Sequence, residues 1–277
     1  MQLHEFKNIT DTFDSTAQMP LLFIGHGSPM NGIEDNTFSQ SWRRMGGEIE
    51  QPTAVLVISA HWLTRGTKIT AMPHPKTIHD FGGFPQALFD VQYPAPGDPE
   101  LARETSLMVK STHVDLDHEW GLDHGTWTVV RHMYPEANIP VLQLSIDYSK
   151  PAEYHYQLAK ELAALRRKGV LIIGSGNMVH NLRMIAWDKM DAPEYGFDWA
   201  LEMNTKFKQL ITNGDHQPLI HYDQMGQAAK FAIPTPDHYY PLMYVLGLQD
   251  SREQAQIFND KAVMGSLTMT SVKIDRL

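Results

Sequence analysis

The chain has 277 residues, 42% hydrophobic and 20% charged, which allows a substantial core and excludes the depleted composition of a disordered segment. Its formal net charge of −9 argues against nucleic acid as a partner, because phosphate binding needs a basic surface. Cysteine is absent, which excludes disulfides, iron–sulfur clusters, thiolate zinc sites and a cysteine nucleophile. Any metal must then be held by imidazole and oxygen ligands, which suit Fe(II), Zn(II) or Mn(II).

The opening stretch MQLHEFKNITDTFDSTAQMP is polar and mixed in charge, unlike a signal peptide. No apolar run reaches the ~20 residues that span a bilayer, so the expectation is a cytoplasmic protein without a membrane partner. Residues 1–18 read as an arm or a short leading helix. Residues 20–24 form the first predicted strand, ending at Gly25-His26-Gly27-Ser28-Pro29. A helix is expected over 36–46, then a strand over 54–59 that runs into Ala60-His61-Trp62. Both strands are nearly continuous apolar runs, as burial on both faces of a sheet requires.

A short strand is expected over 68–72, followed by a long ordered loop over 73–97 rich in Pro, Gly and aromatic residues. Asp98 caps a helix to about residue 111, with Pro99 and Glu100 in its first turn. After a short segment at 114–116, Trp120-Gly121-Leu122-Asp123-His124-Gly125 reads as a turn leading into a helix. Residues 139–146 make a strand, and Ser149 before Pro151 opens a helix to Lys168, where Gly169 stops it. Residues 170–173 make another buried strand, ending in Gly174-Ser175-Gly176-Asn177. Helices are expected over 195–212 and 236–248, with a terminal strand over 266–274 at a sheet edge. The pattern predicts one α/β domain over 1–277, with a central, mostly parallel or mixed sheet covered by helices on both faces.

Ligands of such sheets bind beyond the carboxyl ends of strands. His26, His61 and the Asn177/His180 segment all fall at predicted carboxyl ends. Of 14 histidines, His4, His113, His118, His132, His155, His216 and His221 lie in polar or helical contexts and read as solvated, and His74 reads as loop surface. His26, His61, His124, His180 and His238 instead border a Gly, a Pro or an aromatic at an element end. Any one alone is more often structural; five in corresponding places point to a shared site. In Thr235-Pro236-Asp237-His238, Thr235 and Pro236 suit a helix start, with His238 projecting from its first turn. Neither Gly27-Ser28-Pro29 nor Gly174-Ser175-Gly176 completes a nucleophile elbow, and no lysine stands in a P-loop position.

Six motifs in order carry a resemblance over nearly the whole chain: Gly25-His26-Gly27-Ser28-Pro29-Met30, Ser59-Ala60-His61-Trp62, Ile78-His79-Asp80-Phe81-Gly82-Gly83-Phe84-Pro85, Gly121-Leu122-Asp123-His124-Gly125, Ser175-Gly176-Asn177-Met178-Val179-His180-Asn181-Leu182 and Pro234-Thr235-Pro236-Asp237-His238-Tyr239. They resemble those of the class III (LigB-type) extradiol ring-cleavage dioxygenases, in their 4,5-DOPA dioxygenase branch. The resemblance implies a metal held by His26 and His61, with His238 standing where many relatives carry a glutamate and His180 as a possible fourth ligand. It gives His180 the place of the acid/base histidine and His124 that of a histidine touching substrate or dioxygen. Fe(II) is implied in turnover, with Zn(II) a possible occupant of purified protein, and the implied partners are a catechol and O2. Trp62, Phe81, Phe84, Trp127 and Tyr239 are candidates for an aromatic wall, and Arg183 for a substrate carboxylate. A zinc-dependent hydrolase and a non-catalytic binding protein on the same fold remain as alternatives.

Overall fold

The structure, a computed structural model, describes residues 18–276, so most of the arm expected over 1–18 lies outside the described residues. An eight-stranded sheet runs in the order β4-β3-β5-β2-β6-β1-β10-β7. Its parallel centre consists of β1 (Leu21–Gly25), β2 (Ala54–Thr64), β5 (Val141–Asp147) and β6 (Val170–Gly176). Outside it lie β3 (Thr67–Thr70), antiparallel to β5, and β4 (Val114–Asp117), parallel to β3. On the other side β10 (Ser271–Arg276) and β7 (Glu253–Phe258) are antiparallel. A separate ribbon pairs β8 (Ala262–Val263) with β9 (Leu267–Thr268).

The helices are α1 (Thr37–Glu48), α2 (Gln86–Phe89), α3 (Pro99–Met108), α4 (His124–Met133), α5 (Ala152–Glu161), α6 (Ala163–Arg167), α7 (Asp198–Thr212), α8 (His216–Ile220), α9 (Gln227–Ala232) and α10 (Tyr240–Leu248). Alternate residues of each central strand face opposite ways. Leu21, Phe23, Leu56 and Ile58 pack with Ala102, Leu158, Phe207 and Leu242, while Leu22, Ile24, Val55 and Val57 pack with Trp42, Trp127 and Val130. Helices therefore cover both faces: α1 and α4 on one, and α3, α5, α7 and α10 on the other. This is the single-domain α/β architecture that the alternation of elements predicts.

The structure corrects several boundaries. The helix expected from Ser149 to Lys168 breaks at Leu162 into α5 and α6, and Ser149 instead hydrogen-bonds Asp147 Oδ1 at 2.6 Å. The terminal strand is not an edge. Residues 267–268 leave for the ribbon, and β10 lies between β1 and β7. The edge is β7, whose polar Glu-Gln-Ala-Gln start gives no apolar run to read. Two histidines expected to be solvated are buried: His155, fully, with Nδ1 3.1 Å from Tyr244 Oη, and His132, with Nε2 2.7 Å from Asn31 O. His216 is half-buried between Tyr156 Oη and Gln249. Helical periodicity does not reveal which polar face a neighbouring tyrosine will cover.

Candidate metal centre

The carboxyl edge of the parallel strands gathers the site. His26 follows β1 directly, and its N–H donates to Gly176 O at 3.1 Å. Asn177 follows β6, and its N–H donates to His238 O at 2.9 Å, which ties the turn before α10 to the same edge. His180 is held by its N–H to Ala232 O at 2.8 Å. His61 is not past its strand, as expected from sequence, but within it. The register with β5 shifts between Ile58 and Leu63, and β2 resumes pairing to Thr64. His238 likewise lies in a turn closed by Tyr239 N–H to Pro236 O at 3.0 Å, before α10 begins at Tyr240. His124 is the first residue of α4, whose cap Asp123 accepts from Thr126 N–H.

The five histidines singled out by sequence converge. Ring centroids are 5.1 Å apart for His26 and His61, 3.8 Å for His61 and His124, and 5.0 Å for His61 and His238. His238 is 5.3 Å from His26 and stacks on His180 at 3.5 Å with 9° between planes. Within this cluster the ligand nitrogens of His26, His61 and His124 lie within 4.8 Å of one another, as do those of His180 and His238 with a carboxylate oxygen of Asp237. Close packing here needs glycine. A Cβ on Gly125 would stand 2.5 Å from Ser59 Oγ and 2.9 Å from His61 Cδ2. Gly27 has a φ of +62°, which an L side chain rarely adopts.

Hydrogen-bond bookkeeping sets the protonation of these rings. Ser175 Oγ donates its only proton to Gly125 O, so toward His26 Nδ1, 3.0 Å away, it can only accept. His26 therefore carries its proton on Nδ1 and leaves Nε2 bare. His61 Nδ1 faces Asp80 Oδ2 at 3.4 Å, and His238 Nδ1 is paired with Asp237 Oδ2. Yet His26 Nε2 and His61 Nε2 face each other at 3.1 Å. With the His61 proton on Nδ1, toward Asp80, two lone pairs at that distance would repel unless a cation lay between them, and the spacing suits two nitrogens about 2.1 Å from one ion. The donor set thus fits a metal, with carboxylates behind the imidazoles as metal-binding histidines usually have.

Burial is the main reason that the His26 and His61 rings are held well below the ordinary histidine range, with the neighbouring imidazoles adding to it. Burial also brings His180 down to about 2. All three are neutral at neutral pH, the form that ligates. Burial would raise Asp80, but its contacts with His124 outweigh that and hold the carboxyl below its usual range. Asp123 is raised by burial and by Asp80, and is bonded to Ser59 Oγ at 2.6 Å and Gln143 Nε2 at 2.6 Å.

Asp80, Asp237, Ser59, Ser175 and Gln143 have no role in the sequence reading above. Asp80, Asp237, Ser59 and Ser175 lie inside the quoted motifs, and Gln143 lies in none of them. Of the expected aromatic wall, Phe81 contacts His124 edge-on at 5.6 Å and Trp62 stacks on Trp120. Tyr239 does not belong to it: it is buried, packs on Phe207 and Tyr222, and donates to Leu219 O at 2.9 Å. Trp127 is also buried, its Nε1 donating to Ile78 O at 2.9 Å. Arg183 is exposed on the short 3₁₀ turn Leu182–Met184 that follows His180.

Residues 20–272 match the family described as the catalytic LigB subunit of aromatic ring-opening dioxygenase. The chain is 48% identical over 271 residues to the 4,5-DOPA dioxygenase extradiol of Escherichia coli K12, covering 96% of this chain and 98% of that one. It is 36% identical over 275 residues to the 4,5-DOPA dioxygenase extradiol of Beta vulgaris, covering 96% and 97%. A crystal structure of an uncharacterized protein from Escherichia coli K12 superposes with a TM-score of 0.79 at 43% identity, covering 92% of this chain and 99% of that one. With motifs, fold and site in agreement, the chain belongs to the LigB family of extradiol, aromatic ring-opening dioxygenases.

Proposed function

We propose that this enzyme opens the ring of a catechol bearing a side chain para to one hydroxyl, DOPA or a close relative, at a mononuclear centre held by His26, His61 and His238. The observation that carries the reading is the facing pair of Nε2 atoms, His26 and His61 at 3.1 Å, each ring with its Nδ1 turned to an oxygen. His238 supports the set through the same arrangement, its Nδ1 turned to Asp237 and its ring 5.0 Å from His61. When bound, Fe(II) supplies a redox change and a positive charge that acidifies a chelated diol. Zn(II) suits the same imidazoles but has no accessible redox change.

The chain's own residues orient the substrate and move its protons. His180 and His124 border the metal-ligand rings and are the catalytic pair in this reading. His180, neutral and held flat against His238, accepts a hydrogen bond from a phenolic hydroxyl. Placed beside the metal-ligand rings, an imidazole can exchange a proton with a hydroxyl bound there. Phe81 stands edge-on to His124 and offers an apolar surface beside it. Both oxygen atoms of O2 end in the product, at the two carbons between which the ring bond breaks beside the diol. Among the described residues no helix is long and apolar enough to cross a membrane.

Oxygen-electrode traces on anaerobically Fe(II)-loaded protein test the reading. One O2 per catechol and a ring-opened semialdehyde by mass are expected, with no turnover by the zinc form. His180→Ala is expected to keep metal and lose ~10²–10⁴-fold in kcat. Absence of O2 uptake with every catechol tried overturns the reading. Zinc-supported activity without O2 favours the hydrolase instead.

A further inference from the structure

Asp80 stands on the loop between β3 and α2, and its carboxylate reaches two imidazoles at once. Oδ2 is 3.4 Å from His61 Nδ1, and Oδ1 is 3.0 Å from His124 Nδ1. Oδ1 also accepts the backbone N–H of His124 at 2.9 Å. Among the described residues His124 Nδ1 makes no aligned hydrogen bond, and its approach to Asp80 Oδ1 is an ion-pair contact at 3.0 Å. The side chain of Asp80 is 18% exposed, and the loop beneath it is pinned on both sides. Ile78 N–H donates to Leu122 O at 2.7 Å, Leu122 N–H to Lys76 O at 2.8 Å, and Trp127 Nε1 to Ile78 O at 2.9 Å. The carboxylate is therefore held in place by the same chain segment that leads into His124.

A carboxylate ionised at neutral pH has no proton to give and can only accept. A ring nitrogen 3.0–3.4 Å from it is favoured as N–H, which leaves the lone pair on the opposite nitrogen. We propose that Asp80 is a positioning residue that sets the tautomer and orientation of two histidines together, so that His61 and His124 both keep their protons on Nδ1 and offer Nε2. His26 and His238 have separate partners, Ser175 and Asp237, and do not depend on it. One side chain on a loop thus couples the order of that loop to a metal-binding imidazole and to its neighbour in the substrate region. The inference rests on the reading of His61 as a metal ligand, but its test needs no substrate.

Long-range ¹H–¹⁵N correlation spectra of ¹⁵N-histidine-labelled, zinc-loaded protein read the tautomer of each ring. In the wild type, His61 and His124 are expected as Nδ1–H. In Asp80→Ala His124 is expected to lose that single tautomer while His26 and His238 keep theirs, and the loss of support for His61 is read as zinc bound about 10- to 100-fold more weakly by chelator competition. Asp80→Asn, which keeps an acceptor oxygen, is expected to recover part of both. An Nε2–H signal from His61 or His124 in the wild type overturns the proposal without any variant. So does an Asp80→Ala protein with native circular dichroism, unchanged tautomers and unchanged zinc affinity. If the Fe(II) enzyme instead fails to consume O2 with catechols, the functional reading falls while the tautomer result stands by itself.

Discussion

At the scale of single residues, the site depends on atoms that are nearly too close. Gly125 is the second residue of α4, where alanine would normally help a helix by about 1 kcal/mol. Here the added Cβ would meet Ser59 Oγ at 2.5 Å and His61 Cδ2 at 2.9 Å. Gly125→Ala should therefore displace His61 and Ser59, and the overlap should cost about 1–3 kcal/mol, more than the helix gains. Zinc affinity measured by competition is expected to fall about tenfold or more, in the range seen when a metal ligand loses its support. Unchanged affinity would show that His61 has room to move. Gly125, His124 and Asp123 were all legible as a turn before a helix. That the turn packs its backbone against His61 was not, since 64 residues separate Ser59 from Asp123 and nothing local pairs them.

At the scale of elements, the antiparallel side of the sheet is secured by a buried ion pair. Arg166 of α6 and Glu253 of β7 are almost fully buried and bonded to each other, and Arg166 also donates to Met19 O at 2.8 Å and Leu248 O at 3.1 Å. Glu253 in turn accepts from Gln18 Nε2 at 3.2 Å and Asp250 N–H at 2.8 Å. Removing one partner strands a buried charge, so Arg166→Ala should destabilise by about 3–5 kcal/mol in urea unfolding. Replacing both by apolar residues of similar size should cost far less, because the pair's own net worth is small. Equal losses in the single and double variants would argue that the lost bonds to Met19 O and Leu248 O dominate instead. The apolar strands β1, β2, β5 and β6 were readable as continuous hydrophobic runs. β7 was not, because an edge strand exposes its polar residues and its stabilising glutamate is satisfied from another helix.

At the scale of the whole molecule, buried neutral histidines make stability depend on pH. His155 is pushed down to about 4, chiefly by burial, although Asp147 and backbone bonds act in the opposite direction. In the unfolded chain it returns to about 6.5. The unfolded state therefore binds the proton first, and stability falls as pH drops from about 6.5 to about 4. Above 6.5 the contribution is fully present, and across the window this one group loses about 3 kcal/mol. His26, His61 and His180 titrate in the same direction in metal-free protein, so the acid loss should exceed that of His155 alone. Urea midpoints at pH 7.5, 6 and 5 are expected to decline for metal-free protein, with His155→Phe showing a shallower decline. A midpoint independent of pH through this range would mean that these rings protonate without unfolding cost.

The α/β class is legible in the order of residues alone, through buried strand runs alternating with amphipathic helices. So is the ligand chemistry, through fourteen histidines and no cysteine. The five histidines chosen by their glycine, proline and aromatic neighbours are the five whose rings meet. Which oxygen stands behind which ring follows from the folded arrangement and not from local pattern. Ser175 serves His26 across 149 residues of chain, and Asp80 serves His61 and His124 together. The same holds for the burial of His155 beside Tyr244, 89 residues away, and for the inward place of β10. Periodicity and end signals are local and survive in the sequence as pattern. Partners across the fold are set by which faces meet when the layers pack, and a single chain leaves no record of that meeting.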